Sequence, residues 1–189
     1  MAKHVKGKLF ENYVRMIRKL KHVDWSEHLT ASDLEIINQL VLPTQWYPME
    51  TFQRCGAAIF EVLAKGDPEK ARAWGRISMD QLAKVYKHLL IEPNDQFKTL
   101  EKFSKLSRNF FDFDGFGLIV RDENHVAVQI DPAFGTLSVQ GYSYQMLGSL
   151  ERLLELSGAQ NVKGEFSEKM WEGARHSVIE LRWKIPESA

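Results

Sequence analysis

Catalysis needs side chains that can attack, exchange protons or bind metal, and this chain has few in usable arrangements. Cys55 is its single cysteine. A nucleophilic thiol needs a base beside it, whereas Cys55 is followed by Gly56, Ala57, Ala58 and Ile59, the composition of a tightly packed helix face. One thiol also excludes an intrachain disulfide and any multi-cysteine zinc site. The six histidines, His4, His22, His28, His88, His125 and His176, show no HxH or HExxH spacing, so no metal set is expected. His88 follows the helical run of Leu82, Val85 and Leu89. It reads as a core-edge or solvent histidine; the competing reading turns it inward, where a ring nitrogen could ligate haem. The stretch DFDGFG, Asp112 to Gly117, lacks the alternating oxygen ligands and distal Glu of a calcium loop and is no GxGxxG fingerprint. It reads as a turn introducing a strand. Neither GxxxxGK[ST] nor GxSxG occurs. Nucleophile, base and orienting group cannot be assembled, so the expectation is a non-enzymatic protein with no catalytic and no metal residues.

Aromatic surface is what the chain has in quantity. Trp46, Tyr47, Trp74, Phe110, Phe111, Phe113, Phe116, Phe134, Tyr142, Tyr144, Trp171 and Trp183 are many large groups for 189 residues. Most must fill core, and the remainder would line an apolar pocket or a dimer surface.

The elements that must hold these groups change period along the chain. Residues 8–21 set Phe10, Tyr13, Val14, Ile17 and Leu20 at helical spacing. Basic residues dominate this opening stretch, which suits either a helix docked on the core with a solvated basic face or one drawn to anionic lipid or an acidic partner. Thr30 to Asp33 looks like a helix cap, and Pro43 and Pro48 bracket a turn with Trp46 and Tyr47. A helix is expected over 49–64, with Phe52, Cys55 and Ile59 on one face and Gly66 ending it. Asp67 and Pro68 open the next, with a stripe of Ala71, Trp74, Ile77 or Ser78, Leu82, Val85 and Leu89. A further helix is expected over 96–110.

Beyond residue 112 the pattern becomes that of strands. Runs at 116–120 and 126–130 flank Asp122, Glu123 and Asn124 as a hairpin. Residues 134–139 are either more sheet or the entry to a helix over 144–156, which Gly158 closes. Val162, Gly164 and Phe166 alternate with Lys163 and Glu165, and WEGARHSVIELRW carries a final strand of Ile179, Leu181 and Trp183 that should pair with 161–166. The fold class is α+β: a helical part over 1–112 on a small antiparallel sheet from a hairpin–helix–hairpin over 113–185, in one domain spanning 1–189.

Composition sets the outer bounds. Hydrophobic residues are 44% and charged residues 26%, with 25 Lys and Arg against 25 Asp and Glu. This balance speaks against a nucleic-acid binder. No apolar run approaches the ~18 residues of a membrane span, and Glu11, Asn12 and Arg15 interrupt any secretory signal. A cytoplasmic protein is expected.

The order helices, hairpin, helix, hairpin, with the tail from Gly135 to Trp183, resembles the superfamily of ligand-binding domains in nitric-oxide signalling and Golgi transport. That group holds haem-nitric-oxide-binding domains, vinyl-reductase-like domains and small core subunits of the TRAPP tethering complex. ARAWGRISMDQLAKVYKHLL and the closing strand are most similar to a myxobacterial paralogous family of about this length. Departures limit what the resemblance implies. Vinyl-reductase-like domains carry cysteines in the last hairpin, where this chain has EGARHS with His176. Haem-binding members hold the propionates through YxSxR, absent here, where Tyr142, Ser143 and Tyr144 merely share letters. TRAPP-like members hold an acyl chain through a cysteine, a role for which Cys55 is the only candidate.

The resulting expectation is a signalling or scaffold module that binds a hydrophobic small molecule between helices and sheet. Trp46, Phe52, Cys55, Trp74, His88 and Tyr144 are the candidate pocket residues, and no cofactor is expected. A ligand-free structural homodimer or tether is the alternative, and a haem gas sensor resting on His88 the third reading.

Overall fold

The computed structural model describes residues 2–134 and 139–185. Its helices are α1 (Gly7–Lys19), α2 (Ala31–Asn38), α3 (Met49–Ala64), α4 (Pro68–Leu90), α5 (Gln96–Ser107) and α6 (Val139–Leu156). Its strands are β1 (His4–Lys6), β2 (Trp46–Pro48), β3 (Phe116–Asp122), β4 (His125–Ile130), β5 (Gln160–Glu168) and β6 (Ser177–Lys184). The expected α+β class with antiparallel C-terminal strands is what the structure shows.

Local chemistry sets most boundaries. The Thr30 hydroxyl accepts from the Asp33 amide while the Asp33 carboxylate accepts from the Thr30 amide, closing a capping box on α2. Asp67 caps α4 with Pro68 in its first turn. Lys65 and Gly66 turn left-handed after α3, at φ 55° and 72°. Pro132–Phe134 forms a short 3₁₀ turn, and α6 starts at Val139, earlier than the 144 expected. Residues 135–138 lie outside the described residues.

Strand order in the main sheet is β3-β4-β6-β5, all antiparallel. The late strand pairs with β5 as expected (Gly164 opposite Leu181) and also with β4 (Val128 opposite Ile179). It is therefore a central strand. Its burial explains why: Ile179, Leu181 and Trp183 face the core while Val178 and Glu180 on the other face are also buried. The two-stranded sheet β1–β2, with Val5 opposite Tyr47, was not foreseen. Three residues per strand are too few to show a period.

Helix α6 packs along α4 on one side and against the sheet on the other, burying Leu147, Leu150 and Leu154. The α4–α6 crossing is a close backbone approach. A Cβ at Gly75 would collide with the Gln145 carbonyl, and one at Gly148 with the Arg72 carbonyl. Ser149 Oγ donates to the Gly75 carbonyl at 3.0 Å. Arg72 donates to the buried carboxylate of Glu151 from Nε at 2.9 Å, and Glu151 accepts from the Gly164 amide at 3.1 Å, joining α4, α6 and β5.

This crossing corrects the expected stripe of α4. The buried positions are Ala71, Gly75, Met79, Ala83 and Leu90, whereas Ile77, Val85 and Leu89 are exposed. Small residues permit the close approach, so the helix turns them, and not its larger side chains, toward α6. Tyr86 also leaves helical geometry (φ −117°, ψ 23°), which shifts the phase of the last turn.

Candidate ligand cleft

Helices α1, α3, α4 and α6 converge on a small cleft. Tyr13 and Met16 come from α1, Gly56, Ile59 and Phe60 from α3, Trp74 from α4, and Gly141, Tyr142 and Gln145 from α6. Two glycines let the rings close in. A Cβ at Gly56 would lie 3.2 Å from the Tyr13 ring, and one at Gly141 would lie 2.8 Å from that of Phe60. The free space is about 20 Å³. That admits a water, far below the roughly 300 Å³ at which ordinary ligand pockets begin.

The walls are aromatic, with the phenols of Tyr13 and Tyr142 among them and the Cys55 thiol behind. Tyr13 stacks on Phe52 at 4.6 Å between ring centroids, and its hydroxyl donates to Gln145 Oε1 at 3.1 Å. Tyr142 stacks on Phe134 at 4.3 Å, joining the cleft to a cluster in which Phe111, Phe113 and Phe116 surround the buried Phe134. The Tyr142 hydroxyl and the neighbouring Ser143 Oγ are buried without a hydrogen-bond partner among the described residues. Burial first, then the Tyr13 phenol, pushes the Tyr142 phenol far above its usual range. Burial first, then the Cys55 thiol, does the same to Tyr13. Cys55 is pushed up to about 12 by burial first and then by Asp33, with Arg54 opposing. All three groups are neutral near pH 7, so the cleft offers O–H donors in an apolar setting.

The structure brings three of the six candidate pocket residues to this region. Trp74 lines the cleft, and Phe52 and Cys55 stand behind it, next to Tyr13. Trp46 is instead 43% exposed on β2, under the Lys6 ammonium. Tyr144 packs with Phe166 and Trp171, beside β5. His88 faces solvent near the end of α4; the inward reading fails because the small-residue face of α4 takes the interior. Sequence reasoning missed Tyr13 and Gln145. Their available signal was Gly56 and Gly141, small residues among rings.

The remaining histidines lie outside the cleft. His4 Nδ1 lies 2.6 Å from Asp112, His28 Nδ1 3.3 Å from Glu61, and His125 Nε2 2.7 Å from Glu180. His22 is exposed, and His176 is half-buried in the turn between β5 and β6. Among the described residues no histidine lines the cleft, no group of three or more His, Cys, Asp or Glu could hold a metal ion, and no helix is long and apolar enough to cross a membrane.

No protein-family model matches the chain, and no curated protein matches it in sequence. Solved structures do. An H-NOX protein from S. oneidensis in the Fe(II) ligation state superposes with a TM-score of 0.65 at 11% identity, covering 97% of this chain and 98% of that one. Unliganded Fe(II) H-NOX protein from K. algicida gives 0.63 at 13% identity, covering 96% and 97%. An oxygen-binding H-NOX domain related to soluble guanylate cyclases gives 0.58 at 13% identity, covering 97% and 98%. At such identities the likeness is one of fold, and the fold is that of H-NOX domains. It agrees with the fold that the superfamily resemblance implied.

Proposed function

We propose that this chain is a non-enzymatic, small-ligand-binding signalling module on the H-NOX fold, and that its ligand enters the α1–α3–α4–α6 cleft. The carrying observation is the Tyr142 hydroxyl, buried at an aromatic cleft and without a partner among the described residues. Such a group costs about 1–3 kcal/mol unless something accepts its hydrogen bond. The fitting ligand is a small, neutral, largely apolar molecule with one acceptor atom. Catalysis is disfavoured, because Tyr13, Tyr142 and Cys55 all keep their protons near neutral pH.

The H-NOX neighbours include iron-bearing proteins, which raises haem. This chain's residues do not fit a histidine-held haem. Three histidines sit on carboxylates, His22 and His88 face solvent, His176 stands in the β5–β6 turn outside the cleft, and no YxSxR is present. The narrower likeness to the myxobacterial paralogues, and through them to vinyl-reductase-like and TRAPP-like domains, belongs to this proposal and rests on the sequence pattern.

A signalling mechanism follows from the size of the cleft. Anything larger than water needs α1 and α3 to stand off from α6. A ligand therefore favours an opened state over the closed one, and that difference in affinity makes a switch. Native and denatured masses of the purified protein, with haemin titration followed near the Soret band, test the reading. A bound small molecule is expected, released on denaturation and bound about tenfold more weakly by Tyr142→Phe. Stoichiometric haem uptake lost in a histidine-to-alanine variant would overturn it. A structural homodimer is the second reading, favoured by Ile77, Val85 and Leu89 standing exposed along α4. A dimer mass with no ligand would select it.

A further inference from the structure

The opening helix and the segment 38–48 form a surface that the cleft does not use. Residues 1–23 hold seven Lys or Arg (Lys3, Lys6, Lys8, Arg15, Arg18, Lys19 and Lys21) against one acidic residue, Glu11, in a chain of zero net charge. Such asymmetry marks a face for an anionic partner. Residues 38–48 contain no charged residue at all. They run along α1, fixed by the Gly7 amide donating to Gln45 O at 2.8 Å, Lys8 to Pro43 O at 3.0 Å, and the Arg18 guanidinium to Gln39 O at 2.6 Å.

The alternation in this segment is the reverse of economical burial. Val41 points inward at 8% exposure, while Leu40 at 78%, Leu42 at 39% and Trp46 at 43% point out. Solvent-facing leucines beside an exposed tryptophan form an apolar ridge. Lysine and arginine stand along it: Lys6 lies over the Trp46 ring at 4.0 Å, and Arg15 and Lys19 are exposed on α1. Between ridge and helix runs a groove of about 270 Å³, lined by Glu11, Arg15, Arg18, Lys19, Leu40 and Val41.

We infer that this face docks on the surface of an anionic lipid bilayer. Leu40, Leu42 and Trp46 would enter the headgroup–acyl boundary while Lys6, Lys8, Arg15 and Lys19 meet the acidic headgroups. Leucine and tryptophan tips beside a cationic face are the chemistry of peripheral membrane attachment, where apolar burial and electrostatic attraction act together. A purely acidic protein partner would use the cations and leave the protruding leucines without a role.

The full chain is sedimented with vesicles of neutral phosphatidylcholine and with vesicles in which about a third is phosphatidylserine. Pelleting is expected only with the anionic vesicles, falling as salt rises from about 0.1 M to about 0.5 M. Leu40→Ser with Leu42→Ser should raise the lipid concentration for half-binding about tenfold or more with charge unchanged. Both side chains are exposed, so folding is not at stake, and a circular dichroism spectrum verifies it. Arg15→Glu with Lys19→Glu should abolish pelleting; Arg18 is left alone because it holds the 37–39 backbone. Absence of pelleting with either vesicle overturns the inference. So does loss on charge reversal with no effect of the leucine changes, which would reduce the binding to electrostatic adsorption without insertion of the ridge.

Discussion

The ion pair between α2 and α3 gives the sharpest quantitative test of the architecture around the cleft. Asp33 is fully buried, and its carboxylate accepts from Arg54 Nε at 2.6 Å and from Nη2 at 2.8 Å, besides closing the α2 capping box. Burial alone would raise its pKa, but hydrogen bonds from Arg54, Thr30 and Thr51 outweigh burial and hold it at about 2, against 3.8 for the unperturbed group. The folded value is depressed, so the stabilisation is fully present above the unfolded value and is lost as pH falls through 3.8 towards about 2. The gap is worth about 2 kcal/mol. Integrated titration puts about 1 kcal/mol of that loss between pH 6 and pH 3, and the rest lower. Urea unfolding of wild type and Asp33→Asn at both pH values isolates this group, because the other carboxylates cancel in the double difference. The variant should be less stable at pH 6 by about 2 kcal/mol or more, since it also disturbs a cap and leaves Arg54 short of a partner. Its stability should fall by about 1 kcal/mol less than that of wild type on going to pH 3. Matching pH dependences within about 0.3 kcal/mol would refute the reasoning.

Two further outcomes follow from the packing. Gly148→Ala should destabilise by about 1–3 kcal/mol in chemical unfolding, because its Cβ meets the Arg72 backbone and α4 must move away; a gain of about 1 kcal/mol, the ordinary effect of replacing helical glycine, would show that the crossing is looser than described. Cys55, buried and with its thiol pushed up to about 12, should alkylate about a thousandfold more slowly in the native protein than in urea at pH 8; equal rates would place the thiol at the surface and reopen its acylation.

How much of this was legible in the sequence depended on whether the signal was local. Caps and turns were: Thr30 with Asp33, Asp67 with Pro68, and Gly158 each act within a few residues, and the structure uses all of them. The hairpin of β3 and β4 and the pairing of the last strand were legible for the same reason, since alternation reports a half-buried strand. What alternation cannot report is the second neighbour of β6. Val178 and Glu180 look like a solvent face until β4, some fifty residues earlier, closes on that edge.

The cleft fails to show in sequence for a related reason. Large apolar residues announce a core, and that rule misassigned α4 by favouring Ile77, Val85 and Leu89 over Gly75, Met79 and Ala83. Where two helix backbones nearly touch, the side chains that decide the packing are those that are missing, at Gly75 and Gly148. Turning α4 by that choice sends His88 to solvent and brings Trp74 beside Tyr13 and Tyr142. One pair of glycines thus argues against His88 as a haem ligand and in favour of an aromatic cleft. Enlarging Gly148, whose Cβ would meet the Arg72 backbone, should disturb the cleft without touching any residue that lines it.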